Sequence, residues 1–251
     1  MPYSFENKVV LITGGSRGIG AAIARGFAAS GAAVIIASRK QAAIDETVAA
    51  IRAAGGKASG ISCHTGKIRE IESLFDTIRR DFGRLDVLVN NAATNPYFGP
   101  FLEAGESFFD KTFEVNVKGY FFVAQEASRL MVKQDGGAII NIASTEGVSP
   151  SPMMGMYAMT KAAVIMMTKV IARELGGANI RCNCICPGLT ETRFAGALID
   201  SPEIHRRCVE QTAMGRHAQP EEIVGLALYL ASDSASYTTG AVIPCDGGAS
   251  I

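Results

Sequence analysis

The chain has 251 residues, 48% of them hydrophobic, and 24 Lys plus Arg balance 24 Asp plus Glu, so its formal net charge is zero. That balance argues against a general nucleic-acid binder, and no apolar run is long enough to span a bilayer. Six cysteines are no disulfide framework in a chain this long, and the start, Met1-Pro-Tyr-Ser-Phe-Glu-Asn-Lys8, lacks the basic and apolar regions of a signal peptide, so a reducing cytoplasm is expected.

Lys8–Thr13 is a short apolar run that ends in glycines. A helical pattern follows, with Ile19, Ile23, Ala24 and Phe27 on one stripe and a stop at Ser30-Gly31. Ala33–Ala37 reads as a second buried strand, followed by a helix carrying Ile44, Val48 and Ile51 that stops at Gly55-Gly56. Strands near Ala58–Cys63 and at Asp86–Val89 flank a third helix, on which Ile68, Ile71, Leu74, Phe75, Ile78 and Phe82 recur at helical spacing. Next come a long helix from about Ser107 to Lys133, the strand Ala138–Ile142, a helix carrying Tyr157 and Lys161, and the strand Ile180–Cys186. A last helix opens on Gln219-Pro220-Glu221-Glu222, with proline at its first position and acids in its first turn, and Ala241–Pro244 is a final edge strand.

Strands apolar along their whole length belong in a parallel sheet covered on both faces. Strand-helix alternation with short connections predicts a doubly wound α/β (Rossmann) fold, with a mostly parallel seven-stranded sheet between helices. With no linker, repeat or low-complexity tract, residues 1–251 are expected to form one domain.

Thr13-Gly-Gly-Ser-Arg-Gly-Ile-Gly20 joins the first strand to the first helix. Glycines at 14, 18 and 20 allow a sharp turn and close approach to a pyrophosphate, and the helix N-terminus offers unpaired N–H groups. An acid at the end of the second strand would hydrogen-bond a free ribose 2′-hydroxyl; here the sequence is Ala37-Ser-Arg-Lys40. Arg39 can hold a 2′-phosphate in a fork and Arg17 can reach the same side, which favours NADP(H) over NAD(H). Cys182, Cys184 and Cys186 alternate along one strand and so share a face. Their spacing is not a usual zinc pattern and the histidines (His64, His205 and His217) are scattered, so packing is expected rather than a metal site.

Tyr157 and Lys161, four apart on a helix, project side by side. Bringing a tyrosine from a pKa of about 10 to about 7 needs roughly 4 kcal/mol of preference for the phenolate. A lysine cation about 4 Å away at an effective dielectric of 20 supplies about that much. The pair is therefore a candidate acid/base device, although Tyr-x-x-x-Lys alone is common on helices.

With these residues stand Asn90-Asn-Ala-Ala93 after the fourth strand, Asn116 in Val-Asn-Val-Lys-Gly, Ser144 thirteen residues before Tyr157, and Pro187-Gly-Leu-Thr-Glu-Thr192. Together, in this order and spacing, they resemble the short-chain dehydrogenase/reductase family from about Lys8 to the Asp246-Gly-Gly248 tail. The resemblance implies that Asn116, Ser144, Tyr157 and Lys161 form a catalytic tetrad. It implies that Gly14, Ser16, Arg17, Gly18 and Ile19 cradle the cofactor phosphates, and that Ser38 and Arg39 meet the adenosine end. Asn90, Asn91 and Ala92 would line the adenine-ribose side, Thr190 would contact the nicotinamide amide, and Thr192 the pyrophosphate, within the Pro187-Gly188 segment. His64 and Thr65 stand where the family usually has an acid that meets the adenine, and Ala93 replaces the last glycine of Asn-Asn-Ala-Gly.

In that mechanism Tyr157 gives its proton to the carbonyl oxygen, Lys161 holds the phenol's pKa down with help from the positive nicotinamide ring of the oxidised complex, and Ser144 donates to the same oxygen. Asn116 would bend its helix and hold a water that passes protons. Asn95, Tyr97 and Phe98, the methionine-rich Pro150–Met156, and Phe194, Leu198 and Ile199 are expected to wall a mostly apolar pocket for a small ketone or secondary alcohol. A 3-oxoacyl-thioester reductase, a sugar or steroid dehydrogenase, and a cofactor-binding sensor without turnover remain as alternatives. By resemblance the chain forms a homo-oligomer, commonly a tetramer.

Overall fold

The computed structural model describes residues 3–251, apart from the Ala197 side chain. They form a seven-stranded sheet of β1 (Val9–Thr13), β2 (Ala33–Ser38), β3 (Lys57–Ser62), β4 (Val87–Asn90), β5 (Gly137–Ile142), β6 (Ile180–Pro187) and β7 (Val242–Cys245). The order is β3-β2-β1-β4-β5-β6-β7 and every pairing is parallel. β7 is an edge strand, as expected, and the order turns back between β1 and β4, where such sheets open a crevice at the strand carboxyl ends.

The period of two explains the unbroken apolar strands. Val10 and Ile12 of β1, with Val34 and Ile36 of β2, enter one core with Ile23 and Phe27 of α1 (Gly18–Ala29) and Ile44 of α2 (Gln41–Ala53). Val9 and Leu11, with Ile35 and Ala37, enter the other with Leu74, Phe75 and Ile78 of α3 (Ile68–Asp81). Each fully buried Ile, Leu or Phe contributes about 1.5–3 kcal/mol relative to exposure, so both faces must be covered for these strands to be stable in water.

The long helix expected at Ser107–Lys133 is three segments: α4 (Glu106–Phe113), a π-helical stretch Glu114–Gly119, and α5 (Tyr120–Val132). A Cβ on Gly119 would lie 2.7 Å from the Thr65 carbonyl oxygen, so only glycine lets the β3–α3 connection lie against this stretch. The helix α6 (Gly155–Leu175) carries Tyr157 and Lys161. Between β6 and β7 lie α7 (Gly196–Ile199), α8 (Pro202–Glu210) and α9 (Val224–Ala231). The expected start at Gln219 is a capping box closed by Glu222, opening a 3-10 turn before α9. None of the residues of α8 is buried, so it carries no apolar stripe in the sequence.

Asp86 fastens the chain just before β4. Its carboxylate accepts from the Val9 N–H at 2.9 Å and from Arg84 at 2.6 and 2.9 Å, and Lys8 lies 3.5 Å away. Burial opposes its charge, but the hydrogen bonds from Arg84 and Val9 and the two cations outweigh this and hold it below the usual carboxylate range. A depressed folded pKa gives stability that is present above pH about 4 and lost as pH falls through the folded value. Asp86→Asn is expected to cost about 1.5–3 kcal/mol at neutral pH, and urea unfolding should show the gap from wild type narrowing below pH about 3.

Candidate active site

The chemistry-bearing side chains gather at the carboxyl ends of the strands. At the end of β1, Thr13 Oγ1 accepts from the Asn91 and Ala92 N–H groups at 2.9 and 3.1 Å, while Asn91 Nδ2 donates to the Thr13 and Gly14 carbonyls at 2.9 and 3.2 Å. These bonds lash the glycine turn to the end of β4. Gly14 has φ +65°, and a Cβ there would lie 2.9 Å from both Ala92 Cα and Asn91 Nδ2. Gly18 has φ +53° and faces Thr192. The amides of Asn90 and Asn91 are therefore spent inside the protein: Asn90 Nδ2 donates to the Tyr120 carbonyl at 2.9 Å.

Arg17 stands at the N-cap of α1, where no side chain caps the helix and no acid occupies the first turn. The first N–H groups are thus left facing the crevice, the arrangement that receives a phosphate. Ser16 Oγ donates to Ser38 Oγ at 2.9 Å, tying the turn to the end of β2, and Thr47 Oγ1 of α2 donates to the Ser16 carbonyl at 3.1 Å. Arg17 and Arg39, both exposed, sit on the two segments this bond joins, while Ile19 packs against the core. His64 Nδ1 accepts from the Gly66 N–H at 3.1 Å, and Thr65 is buried. Beyond Pro187, the Gly188 N–H donates to the Cys245 carbonyl at 3.1 Å, Thr190 is buried beside Ala218, and Thr192 caps Ala195 at 3.2 Å.

Lys161 is 1% exposed. Its Nζ donates to the Ile142 carbonyl at 2.8 Å and to Tyr120 Oη at 3.4 Å, and Tyr120 Oη itself donates to the same carbonyl at 3.0 Å. Burial lowers the ammonium's pKa to about 8. Nζ lies 5.5 Å from the centroid of the buried Tyr157 ring. In the protein without cofactor, burial, the largest influence, raises the Tyr157 phenol well above its ordinary value, Glu146 and Cys186 push the same way, and only the Ser144 hydrogen bond opposes. A desolvated phenolate costs more than the buried neighbours return, so the protein by itself does not hold this phenol down.

Ser144 Oγ accepts from the Glu146 N–H at 3.2 Å, capping a 3-10 turn, so its own proton is left to be donated. Asn116, fully buried in the π-helical stretch, accepts from the Thr94 N–H at 2.8 Å, and its Nδ2 donates to the Thr94 carbonyl at 2.9 Å and to Thr160 Oγ1 at 3.1 Å. Both amide protons are used, so the side chain couples the β4 loop to α6 rather than offering an N–H to water. Sequence reasoning missed Thr13, Thr94, Tyr120, Thr160 and the Ile142 carbonyl as supports. Only Thr13, at the strand end before the glycines, carried a signal.

The wall differs in part from expectation. Phe194 packs on Tyr157 with ring centroids 5.6 Å apart. Met154 and Met156 are buried in the protein, leaving Met153, at φ +71°, as the exposed methionine among those before Tyr157. Tyr97 lies on Phe108 of α4. Asn95 holds Met154 Sδ at 3.4 Å, and its Oδ1 is buried without a partner. Cys182, Cys184 and Cys186 are fully buried, and among the described residues no group of three or more His, Cys, Asp or Glu could hold a metal. Among the same residues no helix is long and apolar enough to cross a membrane.

Comparison with known proteins bears on this arrangement. A family model described as enoyl-(acyl carrier protein) reductase matches residues 14–250. The rabbit (Oryctolagus cuniculus) dehydrogenase/reductase SDR family member 4 is 39% identical over 243 residues, covering 97% of this chain and 94% of that protein. A short-chain type dehydrogenase/reductase from Mycobacterium marinum is similar at TM-score 0.94 and 36% identity, covering 98% of this chain and 97% of that one. A gluconate 5-dehydrogenase from Burkholderia cenocepacia, solved with NADP and tartrate, is similar at TM-score 0.94 and 31% identity, covering 98% of this chain and 96% of that one.

Asn116→Ala strips three hydrogen bonds and leaves the Thr94 N–H and carbonyl without their partner. It is expected to destabilise the fold by about 2 kcal/mol or more, read as a fall in thermal midpoint, and Asn116→Asp, which cannot donate to the Thr94 carbonyl, is expected not to recover it.

Proposed function

This chain belongs to the short-chain dehydrogenase/reductase family, oxidoreductases that use nicotinamide cofactors, and from that premise we propose its reaction. Hydride passes between NADP(H) and the carbonyl or secondary alcohol of a small, mostly apolar substrate, with Tyr157 as general acid and base. The observation that carries this reading is the buried Tyr157–Lys161 pair, with Lys161 anchored on the Ile142 carbonyl.

The residues present fit a dinucleotide. The uncapped α1 N-terminus, and a turn in which side chains at Gly14 and Gly20 would collide with Asn91, leave room for a pyrophosphate against bare backbone. The absence of an acid at Ser38-Arg39-Lys40 supports NADP(H) over NAD(H), and the NADP in the Burkholderia relative is consistent with it. When bound, the nicotinamide supplies or accepts the hydride and, in its oxidised form, carries a positive charge.

The protein's own groups then handle the proton. At neutral pH the buried Tyr157 is a phenol, the form needed to protonate a carbonyl oxygen as it gains charge. Ser144, whose lone pair is engaged by the Glu146 N–H, turns its hydroxyl proton to that oxygen. Lys161 stabilises the phenolate left behind, and Phe194, lying on the Tyr157 ring, keeps water from it. Exposed apolar side chains on α4, α5 and α6 (Phe109, Phe121, Met159 and Met166 among them) support an assembly of like copies through these helices.

Tyr157→Phe is expected to lower NADPH-dependent ketone reduction by about 10²- to 10⁴-fold while NADPH binding, followed by fluorescence, is kept. Wild-type NADPH binding without turnover across a broad ketone panel would point instead to a cofactor-binding sensor. Arg39→Asp is expected to weaken NADPH binding about tenfold or more and NADH binding far less. Equal wild-type affinities for the two cofactors would contradict the proposed choice.

A further inference from the structure

The turn Thr145–Gly147 lies directly on α6 where the proposed acid/base pair sits: a Cβ on Gly147 would come within 2.6 Å of the Lys161 carbonyl carbon. Glu146 is the middle residue of this turn. Its N–H donates to Ser144 Oγ, and its carboxylate reaches across to the segment leading into Tyr157, accepting from the Ser151 N–H at 2.8 Å and from Ser151 Oγ at 2.6 Å. Both partners are neutral, and none of the ion pairs among the described residues includes Glu146. A negative charge is thus held beside Ser144 by neutral hydrogen-bond donors and without a direct ion pair, while the nearby cation, Lys161, is buried on α6 and engaged by the Ile142 carbonyl.

Its surroundings let that charge be felt. Val148, Met153 and Phe194 give the nearby surface an apolar character and bring no charge of their own. Beyond Thr192 a cleft of about 520 Å³ carries Arg193 together with Glu191 and Asp200, two acids to one base, so it offers no net positive counterweight. The phenol of Tyr157 and the thiol of Cys208 on α8 both register the carboxylate: burial raises each of them most, and Glu146 raises each further.

We propose that Glu146 is a specificity-determining residue, whose fixed carboxylate disfavours carbonyl substrates bearing a carboxylate or phosphate and admits uncharged or cationic ones. This rests on the carbonyl-reductase reading above and narrows its substrate class. A substrate anion brought to the Ser144–Tyr157 site meets the like charge held on the adjoining turn, a penalty on the order of tenfold in kcat/KM. The same site is indifferent to an ester, which has the shape of the acid without its charge.

The test is NADPH oxidation with a panel of matched ketoesters and ketoacids, including ethyl benzoylformate and benzoylformate. In the wild type the esters are expected to exceed their acids by about tenfold or more in kcat/KM. Glu146→Gln, which keeps an acceptor for Ser151, brings the ratio close to one by raising kcat/KM for the acids. Glu146→Asp, which keeps the charge, retains most of the discrimination. An ester-to-acid ratio that is the same in wild type and Glu146→Gln, with ester reduction still lost in Tyr157→Phe, overturns the role of Glu146 and leaves the reductase reading standing. Absence of reduction for every pair, or ester reduction undiminished in Tyr157→Phe, removes the reductase reading and this proposal with it.

Discussion

A lysine ammonium has been taken out of water at the carboxyl end of β5, and the surrounding architecture is what makes that tolerable. Burying an unpaired ammonium costs several kcal/mol, so Lys161 needs acceptors at fixed places. The Ile142 carbonyl is available because β5 ends there, and Tyr120 Oη because α5 begins immediately after the π-helical stretch. Asn90 at the end of β4 holds the Tyr120 carbonyl. Three strand and helix ends thus converge on one nitrogen, and its position is as well determined as the sheet itself.

The same burial creates a tension at Tyr157. Removing water favours the neutral phenol, and in the protein without cofactor burial outweighs the lowering hydrogen bond from Ser144. That is no obstacle to the proposed reaction in the reducing direction, where a protonated phenol is required at the start. In the proposed oxidising direction the phenol would first lose its proton. Lys161 would then act together with the positive charge of an oxidised nicotinamide, because neither burial nor Glu146 helps.

Much of this was legible in the sequence, for identifiable reasons. Parallel strands covered on both faces must be apolar throughout, so Val9–Thr13 and Ala33–Ser38 announce themselves, and glycines mark where the helices stop. Asn116 in mid-helix signalled that its amide was in use, and it is, although on Thr94 and Thr160. Other features leave no trace in residue type. The π-helical stretch is a slip of the backbone hydrogen-bond register inside an otherwise helical pattern. The Ile142 carbonyl acts through its place in the backbone, so any residue there would offer the same acceptor. α8 has no buried face to generate a readable stripe, and methionine does not tell a pocket wall from a core, so the sequence alone does not separate the buried Met154 and Met156 from the exposed Met153.

The central claim, that Tyr157 and Lys161 form one proton-handling unit with the oxidised cofactor, is tested most directly by ultraviolet difference titration of tyrosinate, with Tyr157→Phe as the blank that removes the other tyrosines. Saturating oxidised NADP should bring the Tyr157 ionisation down towards neutrality from well above 10, and Lys161→Met should abolish most of that shift. A Tyr157 titration identical with and without the oxidised cofactor, or one unaffected by Lys161→Met, would contradict the account.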